Sequence, residues 1–143
     1  MRITKHFPLR LSIQTLVLSW TIVIAPQAFT DINNVANVSD IEELRQSAEA
    51  GDATAQFNLA LKYGYGEGIE EDQEKAVEWY LKAAEQGYVD AQYNLALSYE
   101  LGEGVEEDDE RAFLWYRRAA DQGDADAQVE LGQRYAYGKG VEE

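Results

Sequence analysis

The chain has 143 residues, room for one domain, and carries a formal charge of −15 with no cysteine and a single histidine, His6. Disulfides, thiolate metal sites, thiol catalysis and lipid attachment through sulfur are thereby excluded, and beyond His6 the usual base for a serine nucleophile is missing. From Phe29 onward nine Lys and Arg face 27 Asp and Glu, a balance of −18 that repels nucleic acid and anionic lipid, since holding either requires neutralising phosphates.

The first ten residues hold Arg2, Lys5 and Arg10 and no acid. Leu11–Ala25 (LSIQTLVLSWTIVIA) is mostly apolar and uncharged, and APQA follows at Ala25–Ala28. This order predicts a secretory signal peptide over residues 1–28, hence a periplasmic or secreted protein. The uncharged run Leu11–Thr30, 20 residues, is also long enough for a retained membrane anchor. Ser12, Gln14, Thr15 and Ser19 dilute it and Pro26 disturbs a helix near its end, so the cleaved signal is the expected form, with no stable span left after cleavage. Residues 29–39 read as a polar linker, and residues 40–143 as the folded domain.

That domain repeats itself. YGYGEGIEE at Tyr63–Glu71 returns as YELGEGVEE at Tyr99–Glu107 and YAYGKGVEE at Tyr135–Glu143. At an offset of 36, Ile41–Ala76 and Val77–Ala112 agree at 19 of 36 positions, and Val77–Glu107 and Phe113–Glu143 at 16 of 31. Unrelated stretches would share about two. A period of this length is the signature of a solenoid, with units at about 41–76, 77–112 and 113–143 and the last incomplete.

Each unit contains two helical patterns. In the first, Ala55, Leu59 and Tyr63 recur four apart on one stripe, as do Ala91, Leu95, Tyr99 and Ala127, Leu131, Tyr135. Asp52 and Asp124 stand as N-caps, and Tyr88 interrupts that pattern. In the second, Ala76, Trp79, Tyr80, Ala83 and Ala84, and their counterparts Ala112, Trp115, Tyr116, Ala119 and Ala120, alternate large and very small side chains, as close helix packing requires. Gln86-Gly87 and Gln122-Gly123 end these helices. The glycine-rich phrases follow a helix rather than a strand and are crowded with Glu67, Glu70 and Glu71, so they are joints between antiparallel helices and not phosphate cradles. Asp72 and Asp108 cap the helices that follow, and Ile69, Val105 and Val141 anchor the loops.

The elements W-Y-x-x-A-A-x-Q-G, A-Q-x-x-L and Y-x-x-G-x-G-V within Ala76–Asp108 resemble the Sel1-like repeat, a relative of the tetratricopeptide repeat, and the resemblance runs from Ile41 to Glu143. It implies an all-α, right-handed α-α superhelix of about three helix-turn-helix repeats, and an adaptor or regulatory role in bacterial envelope signalling or host contact. A cysteine-rich subset similar to this family is associated with β-lactams, an association that a chain without cysteine does not inherit. The first unit has Glu43 and Leu44 where Trp79-Tyr80 and Trp115-Tyr116 stand, as suits a polar terminal cap.

Most of the clustered carboxylates are accounted for as solvated caps and loops, and no run fits the twelve-residue calcium loop, so neither catalytic nor metal residues nor a cofactor are expected. Binding is better founded. Phe57, Asn58, Leu61 and Tyr65 lie roughly opposite Leu59 on the first helix. Their counterparts are Tyr93, Asn94, Leu97 and Leu101, then Val129, Glu130, Gln133 and Tyr137. These vary between units while the Ala/Leu/Tyr stripe does not. In tetratricopeptide-like solenoids such a face lines the groove, so these residues are the candidate contacts for a protein or peptide partner with basic or amide groups. The competing expectation is that Phe57 and Leu61 only touch the next unit. A non-catalytic, exported interaction module is the reading. A carboxylate-based hydrolase, which needs a deep pocket with two inward acids, and a section of a longer repeat array are the alternatives.

Overall fold

In the computed structural model of the chain, residues 39–138 are described, so the predicted signal, most of the linker and the Val141 anchor lie outside them. Six helices and no strand occur among the described residues. They are α1 (residues 39–49), α2 (Ala53–Tyr65), α3 (Gln73–Glu85), α4 (Val89–Leu101), α5 (Asp109–Asp121) and α6 (Ala125–Tyr137). Each packs on the next along the chain, α2 on α3, α3 on α4, α4 on α5 and α5 on α6. The result is the expected all-α superhelical solenoid, in which every residue of the core is supplied by a neighbour in sequence.

The caps explain where each helix begins. Asp52, Asp72, Asp108 and Asp124 each accept the backbone N–H three residues on, at 2.6, 3.0, 2.9 and 2.7 Å. Such a cap stabilises a helix by about 1 kcal/mol. Tyr88 makes no such bond before α4. At the other end, α2 and α4 stop at Gly66 and Gly102, both left-handed, and the backbone N–H groups of Asp72 and Asp108 reach back to the Tyr63 and Tyr99 carbonyls, closing each joint at 2.9 Å. Ile69 and Val105 pack against the core beneath these joints, as expected.

Between units, glutamines replace some of the apolar packing. Gln56 and Gln92 are buried and donate to the Ala48 and Ala84 carbonyls at the C-terminal ends of α1 and α3, 3.0 and 3.1 Å away. Their own amide oxygens accept from Gln86 and Gln122, both at 2.7 Å. One side chain thus ties three successive helices. Gln92→Ala removes both hydrogen bonds, each contributing about 0.5–1.5 kcal/mol, and is expected to lose about 1–3 kcal/mol in chemical denaturation. Gln128→Ala removes the counterpart side chain, which is exposed as it donates to the Ala120 carbonyl at 3.2 Å, and should lose less than about 0.5 kcal/mol.

The third unit departs from the expected pattern. Leu59 and Leu95 are fully buried, and Tyr99 is 7 % exposed. Their counterparts Leu131 and Tyr135 are half-buried and 60 % exposed. The stripe on α2 is roofed by α3 and that on α4 by α5, whereas α6 is the last described helix.

Candidate functional site

Of the candidate residues, Asn58, Leu61, Tyr65, Asn94, Leu97, Glu130, Gln133 and Tyr137 line three shallow clefts along α2, α4 and α6, and Phe57, Tyr93 and Leu101 line none of them. The first, about 440 Å3, is lined by Asp40, Ile41 and Leu44 of α1 and Asn58, Leu61 and Lys62 of α2, with Glu67 beyond. The second, about 100 Å3, lies between Tyr65 and Tyr80 on one side and Asn94, Leu97 and Ser98 of α4 on the other. The third, about 220 Å3, is walled by Glu100 of α4 and by Glu130, Gln133, Arg134 and Tyr137 of α6. Asn58, Asn94 and Glu130 hold one repeat position in the three clefts, and Leu61, Leu97 and Gln133 another.

The side chains divide into two kinds. Phe57 is half-buried, its ring 5.9 Å from Tyr80 and 5.0 Å from Tyr88, and Tyr93 meets Tyr116 edge-on at 5.5 Å. These two bind their own solenoid, and Leu61 shares their core while also lining the first cleft. Tyr65, Leu101 and Tyr137 are 70 %, 55 % and 78 % exposed and recur one per unit at the last turn of α2, α4 and α6. Asn58 and Gln133 are exposed, and Asn94 spends its amide on the Asp90 carbonyl of its own helix at 2.7 Å.

Sequence reasoning missed the polar cluster behind the third cleft. Arg134 is 2 % exposed. Its Nη1 is 2.9 Å from Asp109 Oδ1, its Nη2 is 2.8 Å from Glu100 Oε1, and its guanidinium lies 5.3 Å from the centre of the Tyr116 ring. The Tyr116 hydroxyl donates to the other Glu100 oxygen at 2.7 Å. At the preceding joint the same four positions are Ser98, Gln73, Gly64 and Tyr80, and a neutral bond from Gln73 to the Gly64 carbonyl, 2.8 Å, stands in for the charges. The signal was available: these positions differ between units whose framework is constant.

Two phenols register the field of the third cleft. Burial pushes Tyr93 up from the ordinary phenol range, and Glu130, Asp126, Asp124 and Glu100 push it further. Tyr116 is raised by burial and then by the Glu100 carboxylate it bonds. In the middle cleft, burial first and Tyr65 second push Tyr80 up to about 12.

The Sel1 repeat family model matches residues 53–88, 89–124 and 125–143, three units that each begin with α2, α4 or α6. Among solved structures, a protective antigen present in uropathogenic Escherichia coli strains and displaying an SLR fold is 44 % identical, with a TM-score of 0.68, over 71 % of this chain. The match spans only 22 % of that antigen. A Sel1 repeat protein from Oxalobacter formigenes is 41 % identical with a TM-score of 0.66, covering 71 % of this chain and 77 % of that one. Helicobacter pylori cysteine rich protein B shares the fold at 24 % identity and a TM-score of 0.61, over 64 % of this chain and 68 % of its own. Among curated proteins none matches the chain.

Proposed function

We propose that this chain, which belongs to the Sel1 repeat family, is an exported, non-catalytic adaptor that binds a protein or peptide partner along the face of α2, α4 and α6. The family consists in general of protein-interaction modules. The observation that carries the reading is the row of exposed Tyr65, Leu101 and Tyr137, one per repeat, of which Tyr65 and Tyr137 line clefts. Large apolar side chains held in water at one position of every repeat are a candidate interaction surface. The overall balance of −18 from Phe29 onward favours a basic partner. Export rests on the order of charge and hydropathy in residues 1–28, and the antigen relative supports a place in the envelope or in host contact. The hydrolase alternative has less support: Glu100 and Glu130 share an open cleft, and Glu100 is already held by Arg134 and Tyr116.

The test is capture from the envelope and secreted fractions of the source cell with the native chain and with an Asn58→Ala, Asn94→Ala, Leu97→Ala variant that keeps its helical circular dichroism. A partner held by the native chain and reduced at least tenfold by the variant is the expected result. A partner indifferent to the variant but lost in moderate salt would move the contact to the acidic joints.

One observation favours a second reading, a section of a longer repeat array. Gly132 and Tyr135 are exposed on α6, whereas Ala60 and Ala96 are fully buried and Tyr99 nearly so at the same positions of α2 and α4. A helix of the α3 and α5 type would cover them. The mass of the mature protein in the source cell decides between a three-unit chain and a longer one.

A further inference from the structure

One side of α6 repeats the packing side of α2 and α4 without what those two pack against. Tyr63 and Tyr99 lie under Lys75 of α3 and Arg111 of α5, whose cationic groups stand 5.4 and 5.5 Å from the ring centres. Phe57 and Tyr93 meet Tyr80 and Tyr116 of the same two helices at 5.9 and 5.5 Å. Ala60 and Ala96, between these positions, are fully buried. On α6 the three positions hold Tyr135, Val129 and Gly132. Phe113 fixes the Tyr135 ring edge-on at 5.5 Å, yet Tyr135 is 60 % exposed, Val129 is 58 % exposed and Gly132 is exposed beside them. The neighbouring cation, Arg134, lies over Tyr116 instead. No exposed residue from 129 to 138 carries a charge.

The chain itself shows what fits such a side. In α3 and α5 a Lys or Arg stands directly before an alanine, with a tyrosine four and another alanine seven residues after that alanine: Lys75, Ala76, Tyr80 and Ala83, then Arg111, Ala112, Tyr116 and Ala119. Both of these helices are already seated, α3 between α2 and α4 and α5 between α4 and α6. A second copy is a poor occupant. Its free helix of this kind is α1, where exposed Asp40 and Ser47 replace the buried Ala76 and Ala83. Two α6 sides pressed together would bring chains of −18 into contact and leave both tyrosines without a cation. We infer that this side of α6 docks an amphipathic helix of a partner protein, with a Lys or Arg over Tyr135 and an aromatic side chain on Val129 and Gly132. This rests on the adaptor reading in its three-unit form, since in a longer array the protein fills the seat itself. The basic residue suits the acidic chain.

The probe is residues 108–123 of this chain as a synthetic peptide, DDERAFLWYRRAADQG, with a hydrocarbon bridge between positions 110 and 114 so that it is helical before it binds. Both bridged positions are exposed in α5. Titrated into the 15N-labelled full chain, the peptide is expected to move the amide signals of Val129, Gly132, Tyr135 and Ala136 saturably, and not those of Asn58 and Asn94. Arg111→Gln in the peptide should weaken binding at least threefold, and Ala112→Asp, which copies Asp40 of α1, at least tenfold. Gly132→Arg in the chain should also weaken it at least tenfold with helical circular dichroism unchanged, because a Cβ at 132 meets nothing within 4 Å in the free protein. No saturable binding, binding indifferent to these substitutions, or a mature protein in the source cell that continues the repeat past residue 143 would each overturn the inference. If the peptide fails while the Asn58, Asn94, Leu97 variant still loses a captured partner, the contact along α2 and α4 stands and only the α6 seat is lost. If the peptide binds and that variant keeps its partner, the seat stands and the contact along α2 and α4 fails.

Discussion

Replacing Gly104 by alanine is expected to destabilise the fold by about 2–6 kcal/mol, the sum of roughly 1–3 kcal/mol for a left-handed non-glycine residue and roughly 1–3 kcal/mol for overpacking. Gly104 has a φ of +70°, and a Cβ there would overlap the Gln73 carbonyl group and crowd the Glu74 nitrogen. Both obstacles are backbone, so no rotamer change relieves them. The contact is also between units: the joint after α4 rests on the first turn of α3, and pushing it off separates two repeats rather than deforming one. Gly87→Ala is the control. Its φ of +89° is as unfavourable, yet nothing lies within 4 Å of the added carbon, so about 1 kcal/mol is expected. Urea unfolding followed by helical circular dichroism compares the two. Equal losses would mean that the glycine at 104 is required only for its torsion angle, and that the joint does not bear on the neighbouring unit.

The framework of this fold is written in the sequence because a solenoid makes its long-range contacts out of short-range ones. Ala55, Leu59 and Tyr63 recur at helical spacing, the whole set recurs at 36 residues, and both periods survive reading by eye. The caps were legible for the same reason: an aspartate three residues ahead of a helical N–H acts locally. Three features were not. Glutamine recurs at 56, 92 and 128, but a glutamine among polar helix positions gives no sign that Gln56 and Gln92 are buried and Gln128 exposed unless the partners, eight and thirty residues away, are known. The exposure of Tyr135 follows from which helix stands next to it, and the stripe it belongs to looks the same in every unit. Arg134 stands where Lys62 and Ser98 stand, and its two carboxylates come from helices 25 and 34 positions back in the chain. Of the candidate contacts, the row Tyr65, Leu101 and Tyr137 proved exposed, whereas Phe57 and Tyr93, chosen by the same helical geometry, turned their rings to neighbouring tyrosines. Position on a helical wheel distinguishes two sides of an isolated helix. It does not distinguish the groove from the next unit in a stack.

Arg134→Ala is expected to lose about 3–5 kcal/mol, the usual consequence of removing one member of a buried ionic group. Arg134 and Ala127 are the buried residues of α6, against four in α2 and six in α4, so α6 has few apolar contacts to hold it once the charged group is cut. The loss should therefore appear first as faster amide hydrogen exchange along α6, with α2 and α3 unaffected. Arg134→Lys keeps one charge but not the fork that spans Asp109 and Glu100, and should fall between alanine and the native chain. The more informative variant exchanges the whole cluster for the chemistry of the first joint: R134S, E100G and D109Q together. Ser98, Gly64 and Gln73 show that these residue types close a joint in this chain without charge, through the bond from Gln73 to the Gly64 carbonyl. The triple variant leaves no buried ion uncompensated, and its added helical glycine costs only about 1 kcal/mol, so it should recover most of the stability that R134A loses. Recovery in urea unfolding would show that a neutral joint can replace the ionic one. A triple variant no more stable than R134A would mean that α6 needs its ions to dock at all, and the cluster would then be structural before it is anything else.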